Sequence, residues 1–335
     1  MNVLAVDGVK KAFRSGMSLS RREVLRGVTL HARPGEVLGF LGPNGAGKTT
    51  SIKIILGLIR ADEGSATLFG HPAGSREAAR RTGYLPEMPY AYPHLTLDEF
   101  LSFCGAMSGI PSREIDGRIG RVVETVGLGA QRRFRLKGFS KGMLQRAALA
   151  QTVLHDPDLL VLDEPFSGLD PVGRRLVRDI LTELKGRGKT IFFSSHILPD
   201  MEALCDRVSI IRDGVITRTL GLDELMRLGE GTVEITARGV RPGSLGALHE
   251  HVSTSGERGD ETFIVVREQR FVRAVIEHLY EHGADVLEVA NERRSLEDIF
   301  MKEMARSVRS DRPNAGSAKS PREPVAAAGS PRRSA

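Results

Sequence analysis

Short apolar runs alternate with amphipathic stretches along the first two thirds of the chain. Residues 36–41 and 159–163 are runs in which nearly every position is apolar, so they predict buried strands. Ile52 and Ile55 recur at helical spacing after the first run. Strands that alternate with helices favour a parallel sheet covered by helices, and we therefore predict an α/β fold for residues 1 to about 225.

A second, smaller set of elements follows. Residues 233–236 and 262–266 are rich in β-branched and aromatic residues and predict strands. A helical stretch covers about 271–282, and a further strand is predicted at 285–289. A short helix is predicted from Leu296. These elements predict a small α/β unit in the C-terminal region.

Two changes in composition mark the predicted boundaries. The stretch Gly229-Glu230-Gly231 separates the two sets of elements. From residue 306 the chain is mainly Ser, Pro, Ala and Arg without apolar periodicity, so it buries too little surface to offset the entropy of ordering. The predicted division is a first domain at 1–228, a C-terminal accessory domain at 229–305 and a disordered basic tail at 306–335.

The net charge of +6 on 335 residues lies almost entirely in that tail, which has seven basic and two acidic residues. The rest of the chain is nearly neutral, so the sequence predicts no nucleic-acid partner. Two interpretations of the tail stay open: a solvated extension, or a weak contact with anionic lipid headgroups.

Several classes of protein are excluded by what the sequence lacks. Cys104 and Cys205 cannot make a disulfide framework or a four-ligand zinc site. No apolar run reaches about 18 residues, which predicts that no helix spans a membrane. The first residues lack the basic region and apolar run of a signal peptide. We therefore expect a cytosolic protein.

The strongest local motif is a glycine-rich loop between the strand at 36–41 and a helix. It fits the phosphate-loop pattern GxxxxGK[ST]. Its glycines allow the backbone to wrap a phosphate chain, and the helix N-terminus supplies positive potential. The loop alone predicts a nucleoside triphosphate site and leaves kinases, GTPases and motor ATPases open. Its residues are Gly42, Pro43, Asn44, Gly45, Ala46, Gly47, Lys48, Thr49 and Thr50.

Two further stretches narrow the class. The apolar strand at 159–163 ends in Asp163 and Glu164, a pair able to hold Mg²⁺ and to polarise an attacking water. Ser140 stands where a helix N-cap is expected, which gives a second helix N-terminus for a phosphate. No Asn-Lys-x-Asp stretch is present to read guanine, so a GTPase is disfavoured.

In order along the chain these motifs resemble the ATPase subunit of an ABC (ATP-binding-cassette) transporter. The resemblance covers about residues 3–225. It implies a P-loop NTPase cassette with a mostly parallel core sheet, antiparallel N-terminal strands and a helical signature subdomain. Phe13 corresponds to the adenine-stacking aromatic, Glu87 to the Q-loop residue and His196 to the switch histidine. The signature loop corresponds to Ser140, Lys141, Gly142 and Met143, and the D-loop carries Asp170.

The resemblance also implies cofactors, roles and partners. ATP and Mg²⁺ are expected, with Thr49, Glu87 and Asp163 near the metal and Glu164 and His196 as catalytic residues. Two copies are expected to pair head to tail, so that each ATP lies between one chain's phosphate loop and the other's signature loop. A separate integral-membrane permease is expected as the other partner, with this chain on the cytoplasmic face of the membrane.

Two motifs depart from the usual family pattern: the signature reads Phe-Ser-Lys-Gly-Met where Leu-Ser-Gly-Gly-Gln is usual, and the Q-loop carries a glutamate. Lys141 occupies a position that is usually glycine, and Glu87 one that is usually glutamine. Both departures, together with the small C-terminal unit, resemble a subclass in which a lone ATPase chain serves a separate permease, mostly for export. The alternatives are a non-transport ABC ATPase, which usually has a long coiled coil or a second cassette, and a non-enzymatic scaffold. Intact Lys48 and Glu164 argue against the scaffold.

Overall fold

The computed structural model describes residues 2–14, 21–89, 92–222, 233–240 and 246–291. Within these ranges no helix is long and apolar enough to cross a lipid bilayer. The strands are β1 (Leu4–Arg14), β2 (Arg21–Ala32), β3 (Val37–Leu41), β4 (Glu63–Leu68), β5 (His71–Pro72), β6 (Thr82–Leu85), β7 (Leu159–Asp163), β8 (Thr190–Ser195), β9 (Arg207–Arg212), β10 (Val215–Gly221), β11 (Val233–Arg238), β12 (Val252–Arg258), β13 (Glu261–Val266) and β14 (Asp285–Asn291). The helices are α1 (Lys48–Ile55), α2 (Arg76–Arg80), α3 (Leu97–Met107), α4 (Ser112–Thr125), α5 (Lys141–Val153), α6 (Pro171–Gly186), α7 (Leu198–Leu204) and α8 (Val272–Glu281).

The central sheet has the order β10-β9-β3-β8-β7-β6. β9, β3, β8, β7 and β6 run parallel, and only β10 pairs antiparallel with its neighbour β9. Every residue of β3, β7 and β8 is buried, as expected for parallel strands covered on both faces. The carboxyl ends of these three strands meet at one edge, where ligands of open α/β sheets bind.

Two apolar layers cover the two faces of this sheet. One layer includes Leu41, Leu162 and Phe193 with apolar residues of α3 to α7. The other includes Phe40 and Phe192, whose ring centroids are 5.5 Å apart, with α1 and a second sheet. That second sheet is antiparallel, with the order β2-β1-β4-β5. The predicted cassette fold, with a mostly parallel core and antiparallel N-terminal strands, is therefore confirmed.

Helices α3, α4 and α5 form the helical subdomain of the first unit. α3 begins after Thr96 with a capping box, in which Thr96 Oγ1 accepts the Glu99 amide and the Glu99 carboxylate accepts the Thr96 amide. α5 begins after Ser140, whose hydroxyl oxygen accepts the Met143 amide as the sequence predicts. The helical subdomain thus carries the signature loop at a helix N-terminus.

The C-terminal unit has a core of its own. Its sheet has the order β12-β13-β11-β14 and all its pairings are antiparallel. Ile235, Ile264, Val275 and Leu279 are among the buried residues that join this sheet to α8. β12 was not predicted, since its sequence Val-Ser-Thr-Ser-Gly-Glu-Arg has almost no apolar residues. The predicted helix from Leu296, the boundary at 229–231 and the tail lie outside the described residues.

Candidate nucleotide site

The phosphate loop follows β3 directly and ends at the start of α1. Gly47 is the N-cap residue, with a φ of 110° that favours glycine, and it makes no side-chain cap. A Cβ at this position would come within 2.5 Å of Leu25 Cδ2, so a larger residue does not fit. The first amides of α1 are therefore not bound by a cap side chain, which leaves them available to an anion.

Lys48 is the buried cation of this loop, with only 6% of its side chain exposed. Its Nζ donates to the carbonyl oxygens of Gly42 at 2.7 Å and Pro43 at 3.3 Å. The same Nζ lies 3.3 Å from Glu164 Oε1. A buried amine is stable when it is paired in this way, and these contacts hold Lys48 inside the loop.

Asp163 ends β7 and is buried. Its Oδ1 accepts a hydrogen bond of 2.6 Å from the hydroxyl of Ser194 on the neighbouring strand β8. Burial raises the pKa of Asp163, and the hydrogen bonds from Ser194 and Thr49 oppose that rise. A nearby cation would stabilise the ionised form of a carboxylate that burial disfavours in this way.

Glu164 follows with a positive φ of 49°, a conformation that is uncommon for residues other than glycine. Its amide donates to Ser194 Oγ at 3.0 Å, so a single hydroxyl holds both members of the acidic pair. Glu164 Oε2 lies 3.0 Å from His196 Nδ1, while Oε1 faces Lys48. The carboxylate is thus fixed between two basic groups, and only 9% of its side chain is exposed.

These groups line one cleft of about 610 Å³ at the carboxyl edge of the central sheet. The structure brings phosphate-loop residues together there with Glu87, Glu164 and His196, as the sequence predicts. Two lining residues, Arg22 and Val24, lie outside the predicted motifs, and Ser167 belongs to the predicted D-loop. The lining residues are Arg22, Val24, Asn44, Gly45, Gly47, Lys48, Thr49, Thr50, Glu87, Glu164, Ser167 and His196.

Phe13 lies beside this cleft rather than among its lining residues. It stands opposite Arg22 in the β1–β2 ladder, and residues that face each other across a ladder share one face of the sheet. Arg22 and Val24, two residues apart on β2, share a face as well. Phe13 is 42% exposed, so its ring is accessible at the rim.

The predicted signature residues and Asp170 of the D-loop do not line the cleft of their own chain, although Ser167, at the start of the D-loop, does. A Cβ on Gly168 would collide with the Lys141 side chain, so Lys141 lies against the D-loop. Asp170 Oδ1 accepts the Gly173 amide at 2.7 Å and caps α6. Gly142 faces the side chain of Leu169. These loops pack on each other and form a second surface.

An ion-pair cluster connects the helices that follow these two sites. Asp200 on α7 is 2% exposed and lies 3.7 Å from Arg174 NH1 and 3.4 Å from Arg178 NH2 on α6. Burial raises the pKa of Asp200, the two arginines oppose the rise, and the charge of Glu164 adds to it. α6 follows Asp170 of the D-loop, and α7 follows His196 of the cleft. The ion pairs between α6 and α7 therefore connect the D-loop to the cleft.

Comparison with known proteins agrees with this geometry. Residues 25–167 match the family model described as ABC transporter. The chain is 39% identical over 306 residues to an uncharacterised ABC transporter ATP-binding protein of Synechocystis, covering 90% of this chain and 85% of the relative. It is 30% identical to the Nod factor export ATP-binding protein I of Ralstonia nicotianae, covering 92% and 95%. A solved structure of an ATP-binding subunit of an ABC transporter superposes with a TM-score of 0.61 at 31% identity, covering 68% of this chain and 92% of that one.

Proposed function

Because this chain belongs to the ATP-binding proteins of ABC transporters, we propose that it is the motor of an exporter whose permease is a separate chain. It binds nucleotide and is an ATPase. The observation that carries the proposal is the cleft in which the phosphate loop, Glu164 and His196 meet. The name of the Nod factor export relative supports the direction of transport.

Glu164 is the residue placed to activate water. Its carboxylate is buried and held by Lys48 and His196 on its two oxygens. A carboxylate in this position accepts the proton of an attacking water, which typically contributes about 10²–10⁴ in rate. His196 then hydrogen-bonds the terminal phosphate, while Lys48 and the α1 amides bind the β- and γ-phosphates. Phe13 and Arg22 stand on the side of the cleft where the base and sugar fit.

The oxygen donors around Thr49 suit Mg²⁺, because the hard cation takes hydroxyl and carboxylate oxygens. The Thr49 hydroxyl opposes the rise in the pKa of Asp163, and both Thr49 and Glu87 line the cleft. A bound Mg²⁺ supplies positive charge to the phosphate oxygens. Asp163 is the most suitable of these residues as a metal ligand. Burial disfavours its ionised form, and a bound cation would stabilise that form.

The second half of the site comes from another copy of the chain. Ser140, Lys141, Gly142, Met143 and Asp170 form a surface that does not reach the cleft of their own chain. Head-to-tail pairing of two copies would place this surface over the nucleotide. ATP would then hold the homodimer closed, and hydrolysis would release it.

An exposed apolar surface fits the permease contact. Met88 is 75% exposed, Tyr92 stacks edge-on against Phe103 at 5.8 Å, and Met107 is 74% exposed. A cavity of about 600 Å³ is lined in part by Pro86, Pro89 and Met107. Exposed apolar patches of this kind mark protein interfaces. We place the chain at the cytoplasmic face of the membrane, held there by this contact.

The substitution Glu164→Gln tests the chemistry. Gln has the same shape but accepts no proton, so ATP binding should persist while hydrolysis falls by at least about 100-fold. Glu183→Gln, on the exposed surface of α6, is the matched control and should hydrolyse ATP at the normal rate. Phosphate release and nucleotide binding measure the two outcomes. Hydrolysis at the normal rate in Glu164→Gln would contradict the proposal.

A further inference from the structure

A cluster of potential metal ligands lies at the end of α8, in the C-terminal unit. His278 and His282 are four residues apart on this helix and Glu281 precedes His282. Side chains four residues apart lie one above the other on a helix. The potential ligand atoms of His278, Glu281 and His282 all lie within 4.8 Å of one another. Three donors are thus already close enough to converge on one ion.

A backbone contact orients one of the two imidazoles. His282 Nδ1 lies 2.9 Å from the carbonyl oxygen of His278, so the ring donates through Nδ1–H. This tautomer leaves the lone pair on Nε2. Histidine ligands usually donate their other ring N–H to a carbonyl or carboxylate in this way, which fixes the ring and raises its basicity. The two rings lie 4.0 Å apart, centroid to centroid.

The environment also favours a cation. The C-terminal end of a helix carries a partial negative charge, and both histidines stand in or just after the last turn of α8. Gly283, with a φ of 76°, ends the helix there and leaves Glu281 and His282 exposed to solvent. An ion can therefore reach Glu281 and His282 from solvent, beside the half-buried His278.

We propose that His278, Glu281 and His282 form a binding site for a divalent transition-metal ion of the Zn²⁺ type. Two imidazoles and one carboxylate select Zn²⁺, Ni²⁺ or Cu²⁺ over Mg²⁺, which prefers oxygen ligands only. Three protein ligands leave one position of a tetrahedral Zn²⁺ ion open to water or to a partner side chain. The site differs from the cleft, whose donors suit Mg²⁺, so ion binding here is independent of the proposed ATPase function.

Calorimetric titration of the full chain with Zn²⁺ alone tests the site. The full chain should bind one Zn²⁺ ion, and His282→Ala should weaken that binding by at least about tenfold. Glu281→Gln keeps the helix and both imidazoles, and should weaken it less. His71→Ala removes an exposed histidine from the antiparallel sheet and should bind Zn²⁺ like the unchanged chain.

A second measurement identifies the ligands directly. With Cu²⁺ as the probe, electron paramagnetic resonance should show hyperfine coupling to two nitrogens in the unchanged chain and fewer in His282→Ala. Circular dichroism and ATP binding confirm that each variant is folded. Equal Zn²⁺ affinity in His282→Ala, Glu281→Gln and the unchanged chain would overturn the proposal, as would a full chain that takes up no Zn²⁺.

Discussion

The sequence predicts phosphate binding at two helix N-termini, those of α1 and α5, and the two differ in structure. α1 begins at Lys48 after Gly47, which offers no side chain to cap the first amides. α5 begins at Lys141 after Ser140, whose hydroxyl oxygen already accepts the Met143 amide. The first lies in the cleft, whereas the second lies outside it against the D-loop.

The N-terminus of α1 has nearly all the groups of an anion site, whereas the N-terminus of α5 has only some of them. At α1, uncapped amides, a buried lysine and the acidic pair of β7 converge on one volume. At α5, one amide is already bonded and the Lys141 side chain lies over Gly168. A helix N-terminus binds phosphate through free amides and nearby positive charge. Under the proposed head-to-tail pairing, the second N-terminus would become a phosphate site when another copy presents its nucleotide to it.

The largest effect that separates the two N-termini is expected from Ser140→Ala. The single chain should still bind ATP, because Ser140 does not line its cleft. Hydrolysis should fall by at least about tenfold, or about 1.4 kcal/mol of barrier, because the hydroxyl is lost from the shared site. Nucleotide binding and phosphate release, measured on the same preparation, give the two values.

Thr96→Ala is the matched control for this change. Thr96 caps α3 as Ser140 caps α5, so both variants lose a helix cap worth about 0.5–2 kcal/mol of stability. Only Ser140→Ala should lose hydrolysis. Equal losses in the two variants would show that capping alone explains the effect, and that the signature serine makes no contact with phosphate.

A smaller effect is expected at Asp200, which connects the two regions. Asp200→Asn removes the ion pairs with Arg174 and Arg178 between α6 and α7. We expect hydrolysis to slow about threefold, because His196 stands just before α7 and loses part of its support. ATP affinity should stay within about twofold. Steady-state kinetics over a range of ATP concentrations separates the two effects.

The pH dependence of stability gives an independent measure of Asp200. Burial raises its folded pKa above the ordinary value of 3.8, so the folded chain retains this proton where the unfolded chain has lost it. The contribution of Asp200 to the free energy of unfolding is therefore fully present below pH 3.8. It is lost as the pH rises through the higher pKa that Asp200 has in the folded chain. Asp200→Asn should lack that decline in urea unfolding. Parallel pH profiles for the two proteins would contradict this assignment.

The smallest effect is expected from Glu87→Gln. Glu87 lines the cleft, yet Asp163 and Glu164 already supply two carboxylates beside the phosphates. A third charge there would add like-charge repulsion, so we expect Glu87 to act as a hydrogen-bonding link. Hydrolysis should then change by less than about twofold across a range of Mg²⁺ concentrations, with the permease present. A tenfold loss would instead show that its charge holds metal or water.

Residues that are adjacent in the sequence were predictable as site residues, whereas residues brought together by the fold were not. The phosphate loop and the Asp163–Glu164 pair are each continuous in the sequence, so their chemistry could be predicted without the fold. Arg22 was not predicted, because its position in the cleft depends on the pairing of β1 with β2, in which it lies opposite Phe13. The Asp200 cluster was missed because it depends on how two helices pack.

Ser194, two residues before the predicted switch histidine His196, has a role that the sequence does not reveal. The sequence placed it beside His196, but its hydroxyl serves the acidic pair on the adjacent strand. That contact follows from the parallel register of β7 and β8, in which Asp163 lies opposite Ser194. The buried strands β3 and β7 were predictable from apolar runs, whereas register and cross-strand bonds required the three-dimensional structure.

Cross-linking between two marked copies tests the shared site most directly. One copy carries Asn44→Cys in the cleft and the other Lys141→Cys in the signature loop, both with Glu164→Gln to prevent hydrolysis. Glu164→Gln alone controls for Cys104 and Cys205, which are partly and fully buried. A short thiol cross-linker should join unlike copies when ATP and Mg²⁺ are present, and not without them. No cross-link with ATP, or the same yield without it, would contradict a site shared between two chains.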